Sequence, residues 1–322
     1  MIENNLNSGI FSDRLNELIN KLVNNIYENY YSLCSEKNVR NIHKFRVSLR
    51  KYLALLKVYK ILSRKIEILR IYNNVYQMKN ILGPIRETDV MLGYIEKQSL
   101  EIINERHKDA LNFLFSKIKT DNSDLRNELF KNKFFRNFPD KINLLKSLSG
   151  IKIKKILKIN SEEDIENLIL FVLNKLYKRA FAYKLKVLNH PRHIFELHRM
   201  RVKVKPIRYL FEFGISKVYN SENPLYKKLL DFVETAGEIH EIDLIKQRLN
   251  RLLKEFRVYN SLKANRKNRI ILKPIFVLKK NLNKIRVEKF SKVCKLIARW
   301  NDTFFLKSNY AVSKLSDNKV PA

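Results

Sequence analysis

Residues 42–50 read IHKFRVSLR, and residues 197–209 read LHRMRVKVKPIRY. In the first stretch His43, Arg46 and Arg50 stand among apolar residues with no acid between them; in the second His198, Arg201 and Lys205 return at the same spacing. At about 100° per residue, His43, Arg46, Arg50 and Lys57 fall within roughly a 60° sector of a helix, with Phe45, Leu49, Tyr52 and Leu56 on the opposite side. His198, Arg201, Lys205 and Arg208 fall within roughly an 80° sector by the same construction. Each stretch predicts a helix with an apolar back and a cationic front. Like charges at three- and four-residue spacing repel by a few tenths of a kcal/mol per pair, a cost that a bound anion would remove.

The recurrence extends beyond these helices. His43, Arg46, Val47 and Arg50 align with His198, Arg201, Val202 and Lys205, 43 to 198 being an offset of 155. GPIRETD at 83–89 aligns with GEIHEID at 237–243, 83 to 237 being an offset of 154. Glycine is scarce in this chain, yet two of its 6 glycines fall at equivalent places, and Glu87 and Asp89 match Glu241 and Asp243. Two ordered blocks with nearly constant separation predict two related units, packed about a pseudo-twofold axis if they follow the usual preference for closed symmetry.

Outward from the blocks, apolar residues recur at helical spacing over 11–33, 39–62, 66–82 and 85–103. LGP at 82–84 reads as a helix stop, Gly83 able to take the left-handed conformation and Pro84 unable to continue, so the flanking helices are expected to form a hairpin. Between about 109 and 160 the rhythm weakens, and Ser161 with Asp164 forms a capping box. Helical patterns resume over 165–188, 194–218, 225–236 and 239–259, with Pro191 and Pro224 placed to open two of them, and a basic helix over 284–300 precedes a polar tail. The expected organisation is residues 1–150 as a first four-helix unit with a linker and 151–322 as a second with a C-terminal helix.

Composition agrees. The 322 residues include only 6 Gly and 7 Pro, about 4% of the chain against roughly 12% in ordinary proteins, which disfavours turn-rich β architecture. Lys and Arg number 65 against 32 Asp and Glu, a formal net charge of +33 that calls for a polyanionic partner or a solvated surface. Cys34 and Cys294 have no metal-like spacing and cannot build a disulfide framework, which fits a reducing cytosol. No leader pattern opens the sequence, and no run approaches the roughly 18 apolar residues of a membrane span.

For the stripe, a metal would have to enter a field of arginines, and no His or Cys pair has zincin or finger spacing; HPRH at 190–193 is too weak to count. No metal or cofactor is expected. Phosphate oxygens suit the front better, because arginine forks bind them bidentately and lysine adds point charge. The neighbouring arginines would lower the pKa of a histidine until an anion neutralises them, so His43 and His198 are expected to protonate on binding. Glu87, Asp89, Glu241 and Asp243 admit two readings. They could hold Mg²⁺ for phosphoryl chemistry; or they sit in a helix's first turn, favoured by its dipole, and pair with Arg86 or the stripe arginines, the reading favoured here. No P-loop, hydrolase triad or nucleophile elbow occurs.

VRNIHKFRVSLRKYLALLKVY followed by LGPIRETDVMLGYI, then LHRMRVKVKPIRYLFEF followed by AGEIHEIDLIKQRL, resembles the CHAD family, the conserved histidine α-helical domain, over roughly residues 11–260. The resemblance implies an all-α fold of two pseudo-symmetric four-helix bundles, together one domain, packed around a central basic channel that binds inorganic polyphosphate. His43, Arg46, Arg50 and Lys51, with His198, Arg201, Lys205 and Arg208, match the family's phosphate-contacting positions, and Lys57 extends the first stripe. The family is intracellular and non-enzymatic, with some members at polyphosphate granules and others fused to a triphosphatase tunnel domain. No Glu-x-Glu-x-Lys signature of that domain occurs, so a stand-alone cytoplasmic binder is expected, with granule association in view. The chain departs from the family at Glu87, where Asp is usual, at Leu53, where a further Arg is common, and at Pro206, which replaces a commonly basic residue; the stripes keep their geometry with fewer cations.

The alternatives to polyphosphate are nucleic acid and phosphoryl hydrolysis. Nucleic-acid readers place aromatic or amide side chains beside their cations, and none interleaves the stripe, although the net charge brings weak binding at low salt. A phosphohydrolase needs metal-binding carboxylates facing the stripe, and only the four acids above qualify.

Overall fold

The computed structural model describes residues 2–62, 65–99, 105–150, 162–189, 194–214, 219–262, 265 and 269–300; the expectations at Ser161, at Pro191 and at 190–193 fall outside the described residues. The chain is all α. Helices run over Ile2–Ser35 (α1), Val39–Leu62 (α2), Ile66–Ile81 (α3), Gly83–Ser99 (α4) and Glu105–Lys131 (α5). The short turns Lys133–Arg136 (α6) and Ile142–Lys146 (α7) follow, and then Glu162–Phe181 (α8), Lys184–Asn189 (α9), Ile194–Phe213 (α10), Pro224–Ser261 (α11) and Lys273–Ala298 (α12). Pro224 opens α11 as expected, with the Asn223 side chain accepting the Leu225 N–H as a cap.

The apolar periodicity becomes packing. On α1, Ile19, Leu22, Val23, Ile26, Tyr30 and Leu33 are buried; on α2, Phe45, Leu49, Tyr52 and Leu56 are wholly out of water. The buried tyrosines find acceptors, Tyr52 donating to the Leu145 carbonyl at 2.6 Å and Tyr30 to that of Phe135 at 3.1 Å. Three apolar clusters result. The first joins α1, α2 and α3 with residues 135–148. The second joins α8 and α10 with the first half of α11 and the end of α12. The third joins α4, α5, the second half of α11 and the start of α12, so it draws on both repeats.

Four expectations require correction. The weak rhythm after residue 109 conceals a 27-residue helix, α5. Its buried stripe, Leu111, Leu114, Ile118 and Leu129, is narrow and interrupted by a buried Asn122, which dilutes the apolar signal. Second, Gly83 does not adopt the left-handed conformation: among described glycines only Gly214 has positive φ. The 82–84 junction is a kink and not a hairpin. Helical hydrogen bonds flank it, from Leu82 N–H to Met78 and from Arg86 N–H to Leu82, while Pro84 has no N–H to give; Ile85 stays with α3 in the first cluster, and Met91 and Ile95 carry the rest of α4 into the third. Third, the patterns at 225–236 and 239–259 form one 38-residue helix, because Gly237 has no proline after it to interrupt the ladder. Fourth, the C-terminal helix begins at Lys273 and not at 284.

The four repeated acids also stand elsewhere than expected. Glu87 and Asp89 lie beyond the first turn of α4, and Glu241 and Asp243 lie in the middle of α11, so no helix dipole holds them. The two aspartates instead lock helices together. Asp89 Oδ1 accepts from Arg126 Nη2 at 2.6 Å and from Asn122 Nδ2 at 3.0 Å, tying α4 to α5. Asp243 Oδ1 accepts from Arg286 Nε at 2.7 Å, tying α11 to α12. Since 126 to 286 is an offset of 160, α5 and α12 are themselves equivalent in the repeat.

The Asp243 and Arg286 side chains are 3% and 10% exposed. Asp243→Ala removes the carboxylate from a buried ion pair and is expected to cost about 3–5 kcal/mol in chemical unfolding, whereas the paired replacement Asp243→Leu with Arg286→Met costs far less.

Candidate functional site

The back of α2 is buried in the first cluster and that of α10 in the second, and where the two helices pack together their cationic fronts converge. Arg201 is influenced by Arg50 across the junction, and Lys205 by Arg201, Arg50, Arg208 and Arg46. His43, Arg46, Arg50, His198, Arg201, Lys205 and Arg208 thus form one basic cluster built from both repeats. His43 stays exposed at its edge; Arg46, Arg50, His198, Arg201, Lys205 and Arg208 are half-buried.

Each repeated arginine rests on its repeated glycine. Arg46 Nη1 donates to the Leu82 carbonyl at 2.6 Å, and a Cβ on Gly83 would lie 3.8 Å from that nitrogen. A Cβ on Gly237 would lie 3.2 Å from Arg201 Nη2. At Gly237 the repeated spacing serves a close approach, the missing side chain leaving the Arg201 guanidinium its place, whereas a Cβ at Gly83 would meet Arg46 at ordinary contact distance.

The charges are crowded and underpaired. Burial, and then Arg50 nearby, pulls both Arg46 and Arg201 down to about 10. Burial followed by Arg201 and the other arginines pulls Lys205 down to about 6. His43 and His198 are both lowered, by desolvation first and then by cations, Arg86 leading for His43 and Arg201 for His198. Four polar atoms of the cluster are buried without a hydrogen-bond partner among the described residues: Arg50 Nε, His198 Nδ1, Arg201 Nε and Arg208 Nε. Buried donors without acceptors are costly, so an anion supplied from outside would be stabilised there.

Acids touch the cluster at few points. Glu212 bridges its end, accepting from Lys51 at 2.5 Å and from Arg208 at 3.3 Å, so those two cations are partly neutralised within the protein. Glu241 lies 3.9 Å from Arg86, and Glu87 and Asp89 act on Arg46 without a direct bond. Of the expected pairings, Glu241 thus meets Arg86 at the edge of ion-pair distance, the stripe arginines are reached by Glu87 and Asp89 through charge alone, and Asp89 and Asp243 are committed to Arg126 and Arg286.

Two cluster residues escaped the sequence reading, and a third was given too small a part. Lys79 on α3 faces Arg46 and Arg50, which, after desolvation, lower its pKa. His240 packs ring to ring on His198, with centroids 4.2 Å apart, and burial followed by His198 pulls it down to about 3. Arg86 was read only as a supporting residue, yet it acts directly on His43. A signal for His240 existed, because it occupies the place of Arg86 in the aligned glycine blocks; Lys79 has Val233 at the corresponding place and left none. Conversely, Lys57 is influenced by Lys203, Lys79 and Lys60 and stands apart from the arginines. Pro206 lies inside α10 and is buried, and Leu53 belongs to the core, so neither departure from the stripe pattern offers a charge. Among the described residues no three His, Cys, Asp or Glu side chains converge as a metal site, and no helix is long and apolar enough to cross a membrane.

No curated protein sequence matches the chain. The crystal structure of the CHAD domain from the plant Ricinus communis superposes with a TM-score of 0.64 at 14% sequence identity, covering 90% of this chain and 92% of that one. At that identity the likeness speaks for the fold alone. A family model, the CHAD domain, matches residues 17–250, which span both basic helices and both glycine blocks. With more than half of its length matched by that model, the chain belongs to the CHAD domain family.

Proposed function

We propose that this protein binds inorganic polyphosphate, without turning it over, in a basic channel formed where the two repeats face each other across a pseudo-twofold axis. The observation that carries the reading is the set of four orphaned buried atoms, Arg50 Nε, His198 Nδ1, Arg201 Nε and Arg208 Nε, contributed by both repeats to one half-buried cluster. A linear polyanion offers an acceptor to each at once, as forked guanidinium–phosphate contacts require. A binding role rather than hydrolysis is supported by the engagement of Asp89 Oδ1 with Arg126 and of Asp243 Oδ1 with Arg286, which commits both aspartates to ion pairs between helices. Nucleic acid is the weaker reading, because Phe45 and Tyr52 are buried on the far side of α2 and Tyr209 is buried beside Arg208, so they offer bases no stacking surface. A cytoplasmic place, at polyphosphate granules where these form, belongs to the same proposal.

Arg46→Ala with Arg201→Ala is expected to lower polyphosphate affinity by about 100-fold or more, on the order of two charge-assisted hydrogen-bonding groups. Competition at physiological salt should favour long-chain polyphosphate over single-stranded RNA of matched charge. A win for RNA, or unchanged binding by the double variant, refutes the assignment.

Gly237→Ala is expected to leave the helix as stable or firmer, since alanine is favoured over glycine by about 1 kcal/mol in a helix interior, yet to weaken binding several-fold by displacing Arg201. Gly83→Ala, whose Cβ meets Arg46 at ordinary contact distance, should bind as the parent does. Thermal melts and titrations on the same samples separate the two effects.

Binding should also take up protons. With Lys205 pulled to about 6, its amine is mostly neutral at pH 7.5 in the free protein, and a bound anion restores the ammonium. Calorimetric titrations in buffers of different ionisation enthalpy should report uptake, and Lys205→Met should remove most of it. The sign for stability follows by linkage. Between about 6 and the ordinary lysine value the unfolded chain holds a proton on Lys205 that the folded one lacks, so the free protein should grow more stable as pH rises through that window. Saturating polyphosphate should flatten the trend.

A further inference from the structure

The inner face of α12, with Ile275, Leu278 and Leu282, is buried in the third apolar cluster. At about 100° per residue, Lys273, Phe276, Val277, Lys280, Lys284 and Val287 fall within roughly a 100° sector on the opposite side, and all of them are exposed. This outer face alternates lysines with apolar side chains that enter no core among the described residues.

The hairpin leading into α12 continues the pattern. Val258 near the end of α11 is 62% exposed and Leu262 at its cap 79%, comparable with Val287 at 65%, so each keeps most of its apolar surface in water. Asn260 holds the two helix ends together: its side chain donates to the Ile270 carbonyl at 2.9 Å and accepts the Ile270 N–H at 2.8 Å. Leu262 and the exposed Ile271 are thereby kept beside the start of α12. The charge is one-sided. From Phe256 to Val287 the sequence contains Lys and Arg but no Asp or Glu. Glu255, just before that stretch, lies 3.8 Å from Lys117 of α5, and Glu288 closes the stripe.

A soluble polyanion would satisfy the lysines and leave Phe276, Val277 and Val287 in water. A second copy of this chain, with its net charge of +33, would set lysine against lysine. The surface of an anionic bilayer meets both demands at once. Its headgroups attract the lysines, the apolar side chains enter the acyl boundary, and the lysine stems span the distance between the two.

We propose that the outer face of α12, with Leu262 and Ile271 at the adjoining end of the hairpin, docks peripherally on an anionic phospholipid surface, α12 lying in the plane of the interface. None of these residues belongs to the central basic cluster, so this surface is independent of the ligand assigned to that cluster.

The test is flotation of the full chain with vesicles of phosphatidylcholine alone and of phosphatidylcholine carrying about 30% phosphatidylglycerol, at physiological salt. Binding to the anionic vesicles only is expected. Because so basic a protein is drawn to anionic lipid by charge alone, the deciding variant keeps the charge: Phe276→Gln, Val277→Gln and Val287→Gln together, glutamine being a good helix former. Its partition should fall at least about tenfold. Arg46→Ala with Arg201→Ala should float as the parent does. In a separate variant, Phe276→Trp, emission should shift to the blue on anionic vesicles, against the constant background of the buried Trp300. A glutamine variant that floats like the parent, an unmoved tryptophan emission, equal binding to neutral vesicles, or loss of flotation in the arginine variant overturns the proposal. So does a self-associating parent whose association the glutamines abolish, or a blue shift given by single-stranded RNA and not by vesicles.

Discussion

Everything in this protein is arranged around a repulsion: two helices pack together with their cationic fronts toward each other. The repulsion is sustained by apolar packing behind each front, Phe45, Leu49, Tyr52 and Leu56 for α2 and Leu197, Met200, Val204, Ile207 and Phe211 for α10. A fully buried side chain of this size contributes roughly 1.5–3 kcal/mol, so four or five on each helix outweigh several like-charge contacts partly open to water. The site is thereby preorganised. The cost of bringing the cations together is met in folding, so the cluster is ordered before any anion reaches it.

Two repeated devices hold the arrangement. A glycine stands beside each principal arginine, Gly83 by Arg46 and Gly237 by Arg201, and at Gly237 the missing side chain gives the guanidinium room against the helix. A buried aspartate two turns further on, Asp89 or Asp243, fixes that helix to its neighbour through Arg126 or Arg286. Glycine, aspartate and remote arginine together place a rigid wall behind each half of the cluster. Even the shallow grooves flanking the third apolar cluster follow the repeat, one lined by Glu87, Asp121, Asp124 and Glu128, the other by Glu241, Asn281, Lys284 and Glu288 at the equivalent places.

The repeats diverge where chemistry can differ. Arg86 in the first half is His240 in the second, so one side of the cluster keeps a permanent charge and the other a titratable ring packed on His198. Pro84 kinks the first half between α3 and α4, while the second runs unbroken through Gly237. Lys57 and Lys203 gather with Lys60, Lys175 and Arg179 on one side of the molecule only. A duplicated scaffold thus carries a site whose two ends are chemically distinct.

The sequence alone determined the all-helical class, the repeat, the apolar back of each basic helix and most of the cationic cluster, because these depend on periodicity and on spacing along one chain. It obscured α5, where a buried Asn122 breaks a narrow stripe, and it misassigned the acids, whose partners Arg126 and Arg286 lie 37 and 43 residues away on other helices. It read Gly237 as a break between two helices when it is a spacer within one, since what a missing Cβ makes room for is invisible until another helix arrives. Lys79, His240 and the lysines gathered at Lys57 were likewise decided by tertiary structure. A charge's neighbours across helices, and the burial that shifts its pKa, follow from how the helices pack and not from the order of residues within any one of them.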